Sequence, residues 1–189
     1  MALSLHFAKS PLRKRLLAYF FTNPEARLYL REIAVRLKVD PANLSRELAR
    51  LEKEGIFKSE KRGLQKYFFL DEHYALYREL KSIVFKTVGI QGTIRQLLRK
   101  VPGITRAFIY GSFAKGTERA SSDIDVCLII KKGKFKEDLL LEGLHKLEGE
   151  LNREINYTFF TEEEWEAKRT KDSFVAGLLK SKRIELMNE

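Results

Sequence analysis

The stretch from Ala107 to Asp125 constrains the fold of this chain more than any other part of its sequence. A run of apolar residues, Ala107-Phe108-Ile109-Tyr110, leads directly into Gly111-Ser112, and a second apolar run begins around Asp123 and Asp125. This order predicts a strand, a tight turn that enters a helix, and a second strand. Because side chains alternate between the two faces of a strand, the two aspartates are predicted to point the same way.

The two aspartates and the turn at Gly111-Ser112 form a candidate chemical site. Carboxylates on one strand face supply the hard oxygen ligands that Mg²⁺ or Mn²⁺ prefers. Backbone N–H groups at the turn, together with the Ser112 hydroxyl, are suited to binding a phosphate. A bare Asp-x-Asp pair is common on solvated loops, so the alternative is a Gly-Ser turn beside two exposed aspartates. The sequence therefore predicts a divalent metal ion and a phosphate group held close together.

The pattern from Gly111 to Asp125, GSxAxGxxxxxSDxD followed by an apolar strand, carries a family resemblance. It resembles the minimal nucleotidyltransferases of the DNA polymerase β superfamily, closely over residues 104–130 and loosely over the helix and strand that follow. The resemblance implies a nucleoside triphosphate (NTP) as substrate or ligand, with ATP as the first candidate. It also implies metal ions, Mg²⁺ or Mn²⁺, held by Asp123 and Asp125 as the catalytic residues.

The same resemblance assigns roles around the phosphates of the NTP. It implies that Gly111 and Ser112 hold the β- and γ-phosphates, and that Lys115 or Arg119 neutralises their charge. The alternative for the two cations is that they are solvated loop residues. Family members of this small size are often antitoxin-like and modify a partner protein. The resemblance therefore makes a protein one possible acceptor of the transferred nucleoside monophosphate.

The chain departs from the family's pattern at the third acidic position. The family normally supplies a third carboxylate from the next strand, where it helps to bind one metal and promotes deprotonation of the nucleophile. In this chain Glu154, Asn156 and Thr158 share one face of that strand, and Asn156 aligns with the third acid. An amide carries no charge and cannot act as a base. The departure therefore bears on transfer activity, and it leaves the predictions of the fold and of triphosphate binding unchanged.

The first seventy residues read as three helices followed by a hairpin. Pro11 opens the first helix, residues 31–37 form a short second one, and Pro41 opens the third with Asp40 as its N-cap. Gly55 ends the third helix, and strands are predicted at residues 56–59 and 67–70. The order of elements, with the sequence from Leu30 to Ile56, resembles winged helix-turn-helix regulators of the ArsR/MarR type.

That resemblance implies a DNA-binding surface. In the winged helix fold the second helix of the helix-turn-helix enters the major groove of double-stranded DNA, and the wing lies along the phosphates. Asparagine and arginine can pair with base edges, while lysine suits phosphates. One alternative is a solvated helix face with pairs such as Arg50 and Glu54; another is a winged helix that mediates protein contacts or dimerisation. The residues predicted to contact DNA are Asn43, Ser45, Arg46, Arg50, Lys61 and Arg62.

Composition and charge narrow the classes of protein. A net charge of +10 and a pI of about 9.6 favour a polyanionic partner, above all nucleic acid. No run of about twenty apolar residues exists, so no membrane span is expected, and the first residues lack the pattern of a secretory signal. The single cysteine, Cys127, is predicted to be buried in a strand and fits a reducing cytoplasm.

These patterns predict an α+β chain in three parts. A winged helix domain spans residues 1–71, a helical linker spans 72–102, and a nucleotidyltransferase-like domain with a mixed sheet spans 103–189. The amphipathic linker either pairs with its copy in a homodimer or packs on the first domain. The combined prediction is a cytoplasmic DNA-binding protein whose second domain binds Mg–NTP and transfers a nucleoside monophosphate to a hydroxyl acceptor. The alternative is a non-catalytic transcriptional regulator with a degenerate nucleotidyltransferase module.

Overall fold

The chain divides into two units between Ile90 and Gln91 in a computed structural model that describes residues 10–188. The helices of the first unit are α1 (Pro11–Thr22), α2 (Leu30–Leu37), α3 (Pro41–Lys53) and α4 (Tyr77–Thr87). Its strands are β1 (Leu28–Tyr29), β2 (Phe57–Arg62) and β3 (Gln65–Leu70). The strands form an antiparallel sheet in the order β1-β3-β2.

Side chains at the starts of α1 and α3 explain where these helices begin. Ser10 accepts a hydrogen bond from the backbone N–H of Arg13, and Asp40 accepts one from that of Asn43 at 2.8 Å. Each cap is followed by a proline at the first helical position, where its missing N–H costs nothing. The predicted proline starts and the Asp40 cap are therefore confirmed.

The core of the first unit lies between its helices and its sheet. Phe20 on α1 meets Phe57 on β2 edge to face, with ring centroids 4.9 Å apart. Burying an aliphatic or aromatic side chain of this size contributes about 1.5–3 kcal/mol to folding. The many buried side chains of this core therefore stabilise the first unit. Its fully buried members include Leu16, Leu17, Ile33, Leu44, Leu48 and Leu51, and α4 adds Leu80 and Val84.

One ion-pair network ties α1 to α3 at the edge of this core. The Arg13 guanidinium lies 2.5 Å from a carboxylate oxygen of Glu47 and 2.7 Å from one of Glu54. Glu47 is only 5% exposed, and Arg50 lies 3.6 Å from its other oxygen. The Arg50–Glu54 pair, given as an example of the solvated-face alternative, does not form, because Glu54 turns toward α1 and binds Arg13.

Two element boundaries in the first unit differ from the prediction for a local reason. The helical linker expected from residue 72 becomes helical only at Tyr77, because Asp71 accepts a hydrogen bond from the backbone N–H of His73 and forms a turn instead. The predicted loop at residues 60–66 is mostly strand, since Arg62 pairs with Gln65 across a two-residue turn. Within residues 10–188, no helix has the length and apolarity of a membrane span.

The second unit is built around a four-stranded mixed sheet in the order β6-β5-β4-β7. Only the β5–β6 pair is parallel, and α7 makes the long crossover that parallel neighbours need. The predicted α+β class with a mixed sheet is confirmed. The elements are α5 (Ile90–Leu98), β4 (Ile104–Tyr110), α6 (Gly111–Lys115), β5 (Ile124–Ile130), α7 (Glu137–Leu151), β6 (Ile155–Thr161), α8 (Glu162–Lys168), α9 (Ser173–Lys180) and β7 (Ile184–Asn188).

One face of this sheet carries an aromatic core under α8 and α9. Phe108 and Cys127 are fully buried there, and Trp165 from α8 packs on Phe108 with ring centroids 6.0 Å apart. Burial raises the pKa of the Cys127 thiol to about 12, so this cysteine is the small buried side chain that the sequence predicted. The core also contains Ile129, Phe160, Val175 and Leu178.

Candidate functional site

Three neighbouring strands bring the predicted site residues to one edge of the mixed sheet. Tyr110, the last residue of β4, pairs with Asp125 near the start of β5. The turn at Gly111, which follows β4, is thereby placed beside the two aspartates. Asn156 lies next to Asp125 on the parallel strand β6. The metal and phosphate residues that the sequence predicted, together with Asn156, are therefore neighbours in the fold.

The two carboxylates lie on the same side of the sheet without a cation to balance them. The Asn156 side-chain amide, beside Asp125, donates a hydrogen bond to Asp123 Oδ2 at 3.3 Å. Neither aspartate forms an ion pair within residues 10–188. Burial raises the pKa of Asp125, and the nearby Asp123 charge raises it further. A divalent cation bound between these oxygens would remove that unfavourable interaction, so the donor set suits Mg²⁺ or Mn²⁺.

Gly111 lies directly against the Asp125 carboxylate. Its φ of +71° belongs to the left-handed region, which glycine adopts without steric cost. A Cβ on Gly111 would overlap Asp125 Oδ2. The backbone at the start of α6 therefore approaches the carboxylate as closely as it does only because residue 111 has no side chain.

The short helix α6 positions the other predicted phosphate residues. Phe113 and Ala114 are buried and hold the helix against the sheet, while Ser112 at its first turn is half-buried. Lys115 is exposed at its last position, and Gly116 ends it with a φ of +73°. In the part of the chain described, Lys115 forms no ion pair. Its charge is thus uncompensated there, three residues after Ser112.

Arg153 anchors the loop before Asp123, a role that sequence reasoning missed. Its side chain is buried, with 7% of the residue exposed. The guanidinium Nη1 donates to the carbonyl oxygens of Arg119 at 2.9 Å, of Ser122 at 3.4 Å, and of Ala120. The contacts join residues more than thirty positions apart, so no local pattern could have found them. They hold the segment that delivers Asp123 to the site.

The residue that the sequence aligned with the family's third acid lies on β6 next to Asp125. Asn156 is exposed beside Asp125 and offers an amide rather than a carboxylate. Glu154 is exposed just before β6, and its backbone carbonyl accepts a hydrogen bond from the Ile124 N–H at 2.9 Å. Among residues 10–188, no group of three or more His, Cys, Asp or Glu side chains is arranged to hold a metal ion. The site therefore consists of two carboxylates and one amide.

Tyr110 is the strand partner of Asp125 across the β4–β5 pair. Burial raises the pKa of Tyr110; the nearby Thr158 side chain on β6 opposes this shift, and the Asp125 charge adds to it. The phenol therefore stays protonated at neutral pH. Its ring packs, partly buried, against the aromatic core on the face that α8 and α9 cover.

The predicted DNA-contacting residues lie on exposed surfaces of the first unit. Asn43, Ser45, Arg46 and Arg50 are exposed on α3, and an Arg46 Nη2 donates to Asn43 Oδ1 at 2.7 Å. On the β2–β3 hairpin, Arg62 lies 2.5 Å from a carboxylate oxygen of Glu60. Lys58 and Lys66 are also paired with acids, Asp71 and Glu52.

Only some of the positively charged side chains on this surface therefore lack an acidic partner among the described residues. Lys61 on the hairpin and Lys53 on α3 are exposed and form no ion pair with the residues that the structure describes. Arg46 contacts the neutral amide of Asn43 and has no acidic partner there. These three cations therefore have no acidic partner among the residues that the structure describes.

Residues 92–170 match the family model described as Polymerase beta, Nucleotidyltransferase. The match spans β4, α6, β5, α7 and β6, which are the elements that carry the site. The predicted resemblance of the second unit to nucleotidyltransferases is confirmed by this match, and the unit contains a nucleotidyltransferase-fold domain. No curated protein matches the chain.

Solved structures similar to this chain include two toxin–antitoxin crystal structures. One, a toxin-antitoxin with AMP-PNP, is 19% identical, with a TM-score of 0.39 over 52% of this chain and 73% of that one. A mutant of the toxin-antitoxin MntA-HpeT is 17% identical, with a TM-score of 0.40 over 53% and 74%. A third structure, a putative nucleotidyltransferase from Sulfolobus solfataricus, is 18% identical, with a TM-score of 0.30 over 50% and 73%.

Proposed function

We propose that the second unit binds an NTP together with Mg²⁺ or Mn²⁺. The observation that carries the proposal is the pair of uncompensated carboxylates, Asp123 and Asp125, with Asp125 directly against the left-handed turn at Gly111. Asp123 and Asp125 would hold the metal, and Gly111, Ser112 and Lys115 would hold the phosphates. The match to the nucleotidyltransferase family model over residues 92–170 supports the same ligand.

Each of these groups has a physical task in such a complex. A bound divalent metal neutralises phosphate charge and makes a nearby hydroxyl easier to deprotonate. Gly111 lets backbone N–H groups approach the phosphates, and the Ser112 hydroxyl donates to a phosphate oxygen. The Lys115 ammonium, which has no acidic partner in the described residues, adds a positive charge. The arrangement combines the charge neutralisation and positioning on which nucleotidyl transfer depends.

Transfer of a nucleoside monophosphate to a hydroxyl is the second level of the proposal. The acceptor would be a protein, a nucleic acid or a small molecule, and its hydroxyl must lose a proton. Asn156 cannot take that proton, and Glu154 is an exposed carboxylate one repeat away along the strand. More residues of the site therefore support nucleotide binding than support transfer of the nucleoside monophosphate. A domain that binds Mg–NTP without transferring it would serve a regulator as a nucleotide sensor.

Calorimetric titration of ATP and GTP, with and without Mg²⁺, tests the first level. We expect metal-dependent binding to the wild type and its loss in an Asp123→Asn/Asp125→Asn variant. The variant should remain folded, because the raised pKa of Asp125 indicates that its negative charge destabilises the folded state at neutral pH. A raised pKa means that the stability contributed by Asp125 is fully present at acidic pH and falls as the pH rises through the folded pKa. Amides at both positions remove this cost at neutral pH.

Thermal unfolding of the variant is the control for that titration. A melting temperature at or above that of the wild type, with no nucleotide binding, places the loss in the site and not in the fold. If the wild type binds neither nucleotide in the presence of Mg²⁺ or Mn²⁺, the domain is a scaffold and the proposal fails. Incubation with labelled NTP and candidate acceptors then tests the second level.

We also propose that the first unit is a winged helix that binds double-stranded DNA, with α3 in the major groove and the β2–β3 hairpin as the wing. The distribution of charge favours it. Residues 1–90 contain eighteen Lys and Arg against ten Asp and Glu, a net charge of +8, whereas residues 91–189 contain eighteen against sixteen, a net charge of +2. The positive charge of the chain is thus concentrated in the unit that exposes α3 and the hairpin.

Neutralising four cations of this surface tests DNA binding. Replacing Arg46, Arg50, Lys61 and Arg62 with glutamine should weaken binding to a duplex more than tenfold and lower the salt dependence of log K by up to about four. The matched control removes the same charge from exposed positions on α1 and α4, namely Lys14, Arg15, Arg78 and Lys86. Equal losses in both quadruple variants, measured by fluorescence anisotropy over a salt series, would exclude a specific role for α3 and the hairpin.

A further inference from the structure

Phe174 presents an exposed aromatic ring beside the candidate site. It is the second residue of α9 and is 45% exposed, although Val175 and Leu178 of the same helix are buried in the core under the sheet. Asp172 caps the start of α9, because its Oδ1 accepts hydrogen bonds from the backbone N–H groups of Phe174 at 2.8 Å and Val175 at 3.0 Å. Phe174 is therefore held in place without being covered.

The ring of Phe174 is joined to the site through Tyr110. The two rings meet edge to face, with centroids 6.0 Å apart and an angle of 80° between their planes. Tyr110 is the strand partner of Asp125. Asp125, Tyr110 and Phe174 thus follow one another on one side of the sheet. Beyond Tyr110, the next group along this line is the exposed ring of Phe174.

We propose that Phe174 stacks on the base of the bound nucleotide; this inference rests on the proposed NTP binding. With the phosphates at Gly111 and Ser112 and the metal at Asp123 and Asp125, the nucleoside is the part of the ligand that remains outside the charged site. Its ribose and base lie over Tyr110, with the base against Phe174. The family match ends at residue 170, so Phe174 is assigned from the geometry of this chain.

Stacking on an aromatic ring accepts every base, because every base has a π-face. Aromatic stacking alone therefore discriminates little between bases. We therefore expect similar affinities for ATP and GTP. The contribution of Phe174 should appear in the difference between a nucleotide and a triphosphate that has no base.

The test compares Mg-ATP with Mg-tripolyphosphate by calorimetry in full-length protein. Phe174→Leu should weaken ATP binding about tenfold to a hundredfold and leave tripolyphosphate binding unchanged. Phe174→Trp keeps an aromatic surface and should retain ATP affinity. The matched control is Phe159→Leu, since Phe159 is also exposed, at 38%, but contacts Phe135 and Tyr157 away from the site. It should change neither affinity.

The outcomes separate this inference from the proposed function. If the wild type binds tripolyphosphate and ATP, and Phe174→Leu alters neither affinity, the stacking role is overturned while NTP binding stands. Equal weakening of both ligands by Phe174→Leu would show a structural effect and would also overturn the role. If the wild type binds neither ligand, the proposed function fails and the inference fails with it.

Discussion

Replacing Gly111 with alanine should destabilise the protein and abolish metal-dependent nucleotide binding. The new Cβ would overlap Asp125 Oδ2, and the φ of +71° at this position strains any residue with a side chain. Strain in the left-handed region costs about 1–2 kcal/mol and overpacking about 1–3 kcal/mol, so we expect a loss of about 2–4 kcal/mol in the free energy of unfolding. Relief requires the Asp125 carboxylate to turn away from the site, and the metal then loses a ligand.

Gly116→Ala is the matched control for this substitution. Gly116 lies at the other end of α6 with nearly the same φ, +73°, but no atom lies within 4 Å of the position that its Cβ would take. Backbone strain alone should then cost about 1 kcal/mol and leave nucleotide binding intact. Urea denaturation and Mg-ATP titration of both variants measure the two effects. Equal destabilisation, or retained binding in Gly111→Ala, would show that the contact with Asp125 is unimportant.

Replacing Arg13 with methionine should destabilise the first unit by up to about 3–5 kcal/mol, because the buried Glu47 charge loses its closest partner and keeps only the exposed Arg50 at 3.6 Å. Glu47 is almost fully buried, and Arg13 binds it at 2.5 Å while also contacting Glu54. Methionine preserves the apolar volume of the arginine stem, so the loss reflects the charge left on Glu47. The partly exposed Glu54 can turn to water. Urea denaturation gives the change in free energy of unfolding.

A double variant separates the charge effect from a packing effect. Arg13→Met combined with Glu47→Leu removes both charges and leaves no buried carboxylate, so most of the lost stability should return. The single and double variants form a double-mutant cycle whose coupling energy reports the ion pair. Additive losses in the two single variants, with no recovery in the double variant, would mean that the pair contributes no net interaction.

The parts of the fold that the sequence predicted are those governed by neighbouring residues. Asp40 caps α3 and Pro41 begins it, because the cap and the proline act on the adjacent backbone N–H groups. The order of strand, Gly-Ser turn and strand around Asp123 and Asp125 was predicted from apolar runs, and the pairing of Tyr110 with Asp125 agrees with it. The position of Asn156 and Thr158 on one face of β6 was predicted because every second side chain of a strand points to the same face.

Expectations from the sequence were wrong where a side-chain hydrogen bond or ion pair competed with the local pattern. The helical periodicity continues upstream of Tyr77, but the Asp71 side chain binds a backbone N–H and holds residues 71–76 in turns. The Arg50–Glu54 pair of the solvated-face alternative would have joined residues one helical turn apart at the end of α3, yet Glu54 binds Arg13 from a different helix. In both cases a hydrogen bond or ion pair outweighed a weak local preference.

The sequence by itself determined which chemistry this chain offers: two carboxylates and a glycine turn between two strands, and an amide at the third position. Tertiary structure alone decided how these groups are held. Arg153 binds the carbonyl oxygens of Arg119 and Ala120 from more than thirty residues away, and Phe174 reaches Tyr110 across an even longer separation. Local periodicity extends over only a few residues. Contacts between distant residues depend instead on strand order and register, which arise only when the whole sheet has formed.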